Sequence, residues 1–226
     1  MTKRNLDRLY HAIPLHYLPS LFAAGALFAQ SVLSAPASAP DVPSGIKPRR
    51  TASRRDRMLG LDHFVHLSPT SKSPLLLDKL RQGYPHALLV FEARPILDMP
   101  EVALLPYNTK AWRTRACFEP VTDPAERAAV LRRYTEVDRL PSLEILVKYG
   151  LPLTHLTAVV FIDEREKEAC LRAARGTIDR SLCVVSPDLF PTAEIYSPAG
   201  WDIIADYFDR CRLSDTQMSP PAILFD

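Results

Sequence analysis

A chain of 226 residues with 47% apolar side chains is long enough to bury one substantial core, which excludes global disorder. Its 28 basic and 26 acidic residues leave a net charge of +2, so bulk charge selects neither nucleic acid nor a membrane as partner. Twenty-one prolines against seven glycines point to rigid turns, and the absence of any GxGxxG or GxxxxGK loop argues against Rossmann and P-loop nucleotide binding.

In chain order, Leu9–Ile13 reads as a first short strand ended by Pro14. Leu18 to Phe28 reads as a helix with Pro19 in its first turn, where a missing N–H does no harm. Leu18, Leu21, Phe22, Gly25 and Ala26 fall at helical spacing, with Gly25 and Ala26 small enough for close packing on a sheet. The apolar run to Leu33, followed by alanines between Ala35 and Ala39, also has the outline of a signal peptide. Pro14, Pro19, His11 and His16 break that outline, and the run is too short to span a membrane. The expectation is therefore a cytoplasmic protein with no membrane partner, secretion being the minority alternative.

Ser34 to Pro48 is rich in Pro, Ala and Ser and reads as a loop, followed by Arg49, Arg50, Arg54, Arg55 and Arg57. His63–Leu67 reads as a strand, Leu75–Gln82 as a helix, and Ala87–Glu92 and Val102–Leu105 as buried strands. Trp112 is the anchor of a mixed stretch from Asn108 to Phe118. Asp123, with Glu126 three residues on, caps a helix over Pro124–Tyr134. Pro141–Val147 reads as a strand with Leu143, Ile145 and Val147 on one face and Glu144 beside Leu146 on the other. A carboxylate there is either a solvated edge-strand residue or a group that is paired or used. Leu156–Ile162 is a core strand, Glu164–Arg175 an amphipathic helix stopped by Gly176, Leu182–Val185 a strand and Ile203–Cys211 a last helix. The sum is one α+β domain with its core over about 9–176 and a C-terminal extension over 177–226. Cys117, Cys170, Cys183 and Cys211 form no CxxC pair, so free and mostly buried thiols are expected rather than zinc or a redox motif.

Five stretches, in this order, carry a family resemblance: LYHAIPLHYLPSLFAAGALFA, IKPRR, HFVHLSPTSKSPLL, YNTKAWRTRACF and PSLEILV. Together they resemble the DarT-type NAD-dependent DNA ADP-ribosyltransferase toxins, over about two-thirds of the chain from Leu9 to Ile162. The resemblance implies an ADP-ribosyltransferase fold of the diphtheria-toxin and PARP-like kind, two packed β-sheets around an NAD cleft. It implies NAD as co-substrate without a metal, a base in DNA, single-stranded, as acceptor, and an antitoxin protein as partner within a toxin–antitoxin or phage-defence system. RNA or protein as acceptor, or a non-catalytic NAD- or nucleic-acid-binding relative, are the alternatives.

Glu144 takes the catalytic position, where a carboxylate meets the positive charge that spreads onto ribose as the nicotinamide bond breaks. Tyr10 and His11 match the opening motif; His11 is either an NAD contact or a satisfied core histidine. Arg50 aligns with the family's catalytic arginine, and Arg49, Arg54 or Arg55 can substitute as donors to the pyrophosphate. The same cluster reads equally as a solvated basic loop or as a nucleic-acid surface. Where relatives carry an aromatic-rich strand, this chain has HFVHLSPTSKSP, so Phe64, His66 and Ser68 would line the nicotinamide side. Tyr107 and Asn108 match a recurring motif that shapes the cleft or makes a turn. Arg132, Arg133, Tyr134 and Arg139, before the catalytic strand, would bind the acceptor by phosphate contact and base stacking, or form the exposed basic end of a helix.

Overall fold

The computed structural model describes residues 6–33, 56–81, 85–106, 119–136 and 143–191. Strand β1 (Arg8–Pro14) leads through a 3-10 turn into helix α1 (Leu18–Ala24), strand β2 (Ala26–Phe28) and helix α2 (Gln30–Leu33). Helix α3 is described over 56–58, and strand β3 (Phe64–Leu67), helix α4 (Pro74–Arg81), strand β4 (His86–Glu92), helix α5 (Ala93–Leu97) and strand β5 (Val102–Leu105) follow. Helix α6 (Pro124–Glu136) precedes strands β6 (Glu144–Lys148), β7 (Gly150–Pro152) and β8 (Leu156–Phe161), and helix α7 (Glu164–Ala174) precedes strand β9 (Cys183–Val185).

Three sheets result: β1-β4-β8-β9, β3-β6-β5 and the pair β2-β7. The two larger sheets pack through alternate side chains. Leu9 and Ile13 of β1, Leu89 and Phe91 of β4, and Val159 and Phe161 of β8 meet Val65 and Leu67 of β3, Leu104 of β5, and Ile145 and Val147 of β6 in one core. The intervening residues face outward and are covered as well. Leu88, Val90 and Val160 lie under Leu76 of α4 and Phe190, while Ala103, Leu105 and Leu146 lie under Leu61. Double coverage explains why β4 and β6 carry near-continuous apolar runs although both pair antiparallel with their neighbours.

Backbone pairing also links the two larger sheets. Tyr10 and Ser68 exchange both backbone bonds, N–H of Tyr10 to O of Ser68 at 2.7 Å and N–H of Ser68 to O of Tyr10 at 2.9 Å. This antiparallel bridge fastens β1, an edge of the larger sheet, to the end of β3, an edge of the smaller one.

Two helix starts follow their capping signals. The Asp123 carboxylate accepts the N–H of Glu126 at 2.9 Å, and that of Asp163 accepts the N–H of Glu166 at 2.7 Å. Arg127 then fixes α6 to the smaller sheet by donating from Nη1 to the carbonyls of Met99 and Val102.

Three sequence expectations are corrected. The helix expected over Leu18–Phe28 stops at Ala24, because Gly25 takes a left-handed φ of 70° and gives its N–H to Leu21 and Phe22. Ala26–Phe28 then pair with β7 instead of continuing the helix. Glu144 does not sit on an edge strand, since β6 is the middle strand of its sheet. The core also runs past Gly176, as β9 adds a parallel strand beside β8 and Phe190 is fully buried. Cys170 and Cys183 are free and buried as expected, and burial, reinforced by Cys183, pushes the Cys170 thiol up to about 11. Cys117, Cys211, Trp112, the Ser34–Pro48 loop and the helix expected over Ile203–Cys211 lie outside the described residues.

Two substitutions measure these terms. Ile145→Ala empties a fully buried site in the middle of the core and is expected to cost about 2–5 kcal/mol. Asp163→Ala removes only a helix cap, at about 1 kcal/mol. Urea unfolding of both variants checks the ranking, and equal losses would contradict it.

Candidate active site

Strand register brings the chemistry together. Across the β3–β6 pair, His66 stands opposite Leu146 and Leu67 opposite Ile145. Glu144 therefore lies diagonally across from His66 on the same face, within reach of a long side chain. The His66 Nδ1 lies 3.1 Å from Oε2 of Glu144, and its Nε2 lies 3.1 Å from the carbonyl of Leu61. The Glu144 side chain is 16% exposed and that of His66 32% exposed, so the pair is half-shielded and not in bulk solvent.

On β1, the Nδ1 of His11 lies 2.9 Å from the backbone carbonyl of His66. His66 thus contacts both of the residues singled out far apart in the sequence, by its backbone on one side and by its ring on the other.

These partners assign protons. A carbonyl oxygen only accepts, so Nδ1 of His11 carries a hydrogen. Burial holds His11 below its ordinary value of 6.5, opposed by its bond to His66 and aided by the charges of His66 and His86. His11 is therefore a neutral imidazole whose Nε2 is an acceptor. For His66, burial alone would lower the pKa, but the hydrogen bond and charge of Glu144, the Leu61 carbonyl and the charge of Asp56 together raise it above 6.5.

His11 also lines a cleft of about 250 Å³, walled by Ile13, Tyr17, Leu21, Leu27 and Phe28 among others. The walls are mainly apolar and suit a flat ring. Glu144 is not part of this wall; it connects to the cleft through the His66–His11 bond. Gly150 packs against one of these walls, because a Cβ there would stand 3.0 Å from a ring carbon of Phe28.

The remaining predicted residues fall out as follows. Tyr10 and Ser68 contribute backbone, joining the sheets, and the Tyr10 side chain packs on the outer cluster around Leu88 and Val90, away from His11. Phe64 packs on Leu61 and Leu146 on the face that carries His66. Arg132 and Arg133 are exposed on the last turns of α6. Tyr134 is corrected: it is 6% exposed and part of the main core, so its ring is not presented for stacking on a base. Arg49, Arg50, Asn108 and Arg139, together with Arg54, Arg55 and Tyr107, lie outside the described residues.

Sequence reasoning missed Tyr17, Leu27 and Phe28 as cleft walls and the Leu61 carbonyl as the second partner of His66. Leu27 and Phe28 were hidden by running the helix through Gly25, whose presence is the signal that could have revealed a turn into a strand. The Leu61 carbonyl leaves no sequence signal, being backbone.

No family model matches this chain, and no curated protein does. Solved structures do. The chain is similar in fold to the Thermus sp. 2.9 DarT in complex with ADP-ribosylated ssDNA, with a TM-score of 0.62 and 15% identity, covering 84% of this chain and 99% of that one. The same Thermus DarT in complex with NAD+ gives a TM-score of 0.56 at 15% identity, covering 84% of this chain and all of the other. Thermosipho africanus DarTG in complex with ADP-ribose gives 0.58 at 13% identity, covering 81% of this chain and half of that one. The fold is thus the DarT ADP-ribosyltransferase fold, as the sequence resemblance implies.

The His11 assignment carries a stability consequence. The unfolded chain titrates this imidazole near 6.5 while the folded protein keeps it neutral to lower pH, so the unfolded state binds more protons below 6.5. The stabilisation is complete above 6.5 and is lost as pH falls towards the folded value. His16, also lowered by burial, acts in the same direction. Relative to wild type, His11→Gln is expected to lose Tm less steeply between pH 6.5 and 5; parallel curves would contradict a neutral, buried His11.

Proposed function

We propose that this protein is an NAD-dependent mono-ADP-ribosyltransferase that transfers ADP-ribose to a base in single-stranded DNA. The observation that carries this reading is the bond chain from His11 through His66 to Glu144, which ties the first strand to the strand bearing the acid. Like folds that hold NAD+ and ADP-ribosylated ssDNA support the choice of donor and acceptor.

Each residue has a role that follows from its surroundings. The apolar cleft beside His11 accepts the nicotinamide ring and excludes water from it. Nε2 of His11, an acceptor, takes a hydrogen bond from an amide or hydroxyl of the dinucleotide. Glu144 binds the ribose hydroxyls and stabilises the positive charge that develops on the sugar as the glycosidic bond lengthens, more than it stabilises the ground state. The same carboxylate draws a proton from the attacking base. Arg50, with Arg49 beside it, supplies the planar donors that the pyrophosphate requires. Arg132, Arg133 and Arg139 serve the acceptor strand through phosphate contacts. In the cell the activity would be that of a cytoplasmic toxin restrained by an antitoxin and deployed against phage; of this role the DarTG likeness supports the antitoxin alone.

Incubation with labelled NAD and separate DNA, RNA and protein pools tests the reading. Label is expected in single-stranded DNA. Label confined to RNA or protein would reassign the acceptor, and no transfer with no nicotinamide release would remove the enzyme. Glu144→Gln keeps an acceptor oxygen for His66 but deletes the charge; it is expected to lower kcat by at least about a hundredfold, with Tm little changed. A large fall in Tm instead would assign Glu144 a structural role.

Gly150→Ala tests the cleft from its wall. The added methyl would crowd the ring of Phe28, one of the cleft walls. KM for NAD is expected to rise several-fold while kcat changes less, measured by nicotinamide release; an unchanged KM would detach this cleft from NAD.

A further inference from the structure

We propose that His66 is the positioning residue of this site: a doubly protonated imidazole clamped between Glu144 and the Leu61 carbonyl, holding the catalytic carboxylate by Oε2 so that Oε1 is left for the substrate. The inference rests on the transferase reading above and adds to it the group that orients the acid.

The geometry carries it. Both ring nitrogens of His66 stand 3.1 Å from oxygens, one a carboxylate and the other a backbone carbonyl. With Glu144 ionised, both oxygens can only accept, so both nitrogens must donate. A neutral imidazole has one N–H and would forfeit one of the two bonds. The charges acting on the ring agree with this state: Glu144 from β6 and Asp56 from α3 are acidic, and His11 from β1, bonded to the His66 carbonyl, is held neutral. Among the described residues no partner reaches Oε1 of Glu144, whereas Oε2 is taken.

The arrangement fixes the carboxylate in two ways. The N–H from Nδ1 sets the rotation of the carboxylate plane, and the Leu61 bond on the far side prevents the ring from turning away. His66 is itself anchored, because β3 pairs with β6 through Leu67 and Ile145 and its own carbonyl is held by His11. It therefore acts on the substrate through Glu144.

Loss of the second proton at higher pH breaks one side of the clamp. The kcat profile of the wild type is thus expected to descend on the alkaline side with a midpoint above 6.5. His66→Gln is expected to lower kcat about ten- to a hundredfold, to abolish that descending limb and to leave KM for NAD within about threefold, since a charge-assisted bond to the acid is lost and not a contact with the dinucleotide. Losses from His66→Gln and Glu144→Gln should not add in the double variant, because one acts through the other.

Folding defects cannot hide the answer, because nitrogen-detected NMR of the wild type reads His66 directly. Both ring nitrogens should be protonated at pH 6.5, and the titration midpoint should fall in Glu144→Gln. A neutral ring at that pH, a midpoint indifferent to Glu144→Gln, or a His66→Gln enzyme with wild-type kcat and pH profile would each overturn the proposal. A wild type that splits no NAD would defeat the transferase reading and the positioning role with it, while the NMR titration would still tell whether the pair itself exists.

Discussion

One histidine holds this site together. His66 uses its carbonyl to hold the imidazole of the first strand and its ring to hold the acid of the sixth. The first contact depends on the Tyr10–Ser68 bridge, which fastens β1 to β3, and the second on the register of β3 against β6. Were that bridge to open, β1 and β3 could slide apart and the two imidazoles would lose their common reference.

Burial makes the geometry rigid. Glu144 opens a strand whose next three residues are fully or almost fully buried, with neighbours paired on both sides. A strand of that kind cannot shift register without moving Ile145 and Val147 out of the main core. A carboxylate set at its first residue is consequently fixed to within the play of its own side chain, and His66 removes much of that play. The opposite protonation preferences of His11 and His66 arise from the same physics. Burial disfavours charge at both, and only His66 has an adjacent carboxylate to offset it.

Much of this was legible in the sequence where periodicity and caps speak strongly. The alternation across Leu143–Val147, the continuous run of β4, and the Asp123 start all depend on local rules that tertiary structure reinforces. The helix end at Gly25 was legible too, but the apolar run beyond it matched a helix and a strand equally well over so few residues. The placement of Tyr134 was not: aromatic residues next to arginines satisfy either a stacking surface or a core, and only the packing of α6 decides between them. Least legible was the His66–Glu144 pair. The two residues stand 78 positions apart, and their meeting depends on a strand register that no spacing in the sequence encodes.

A crystal structure with a non-hydrolysable NAD analogue tests the central claim most directly. The account predicts nicotinamide in the cleft beside His11, a ribose hydroxyl within hydrogen-bonding distance of Oε1 of Glu144, and His66 still bonded to Oε2. An analogue bound elsewhere, or one seated in the cleft with its ribose out of reach of Glu144, would contradict it.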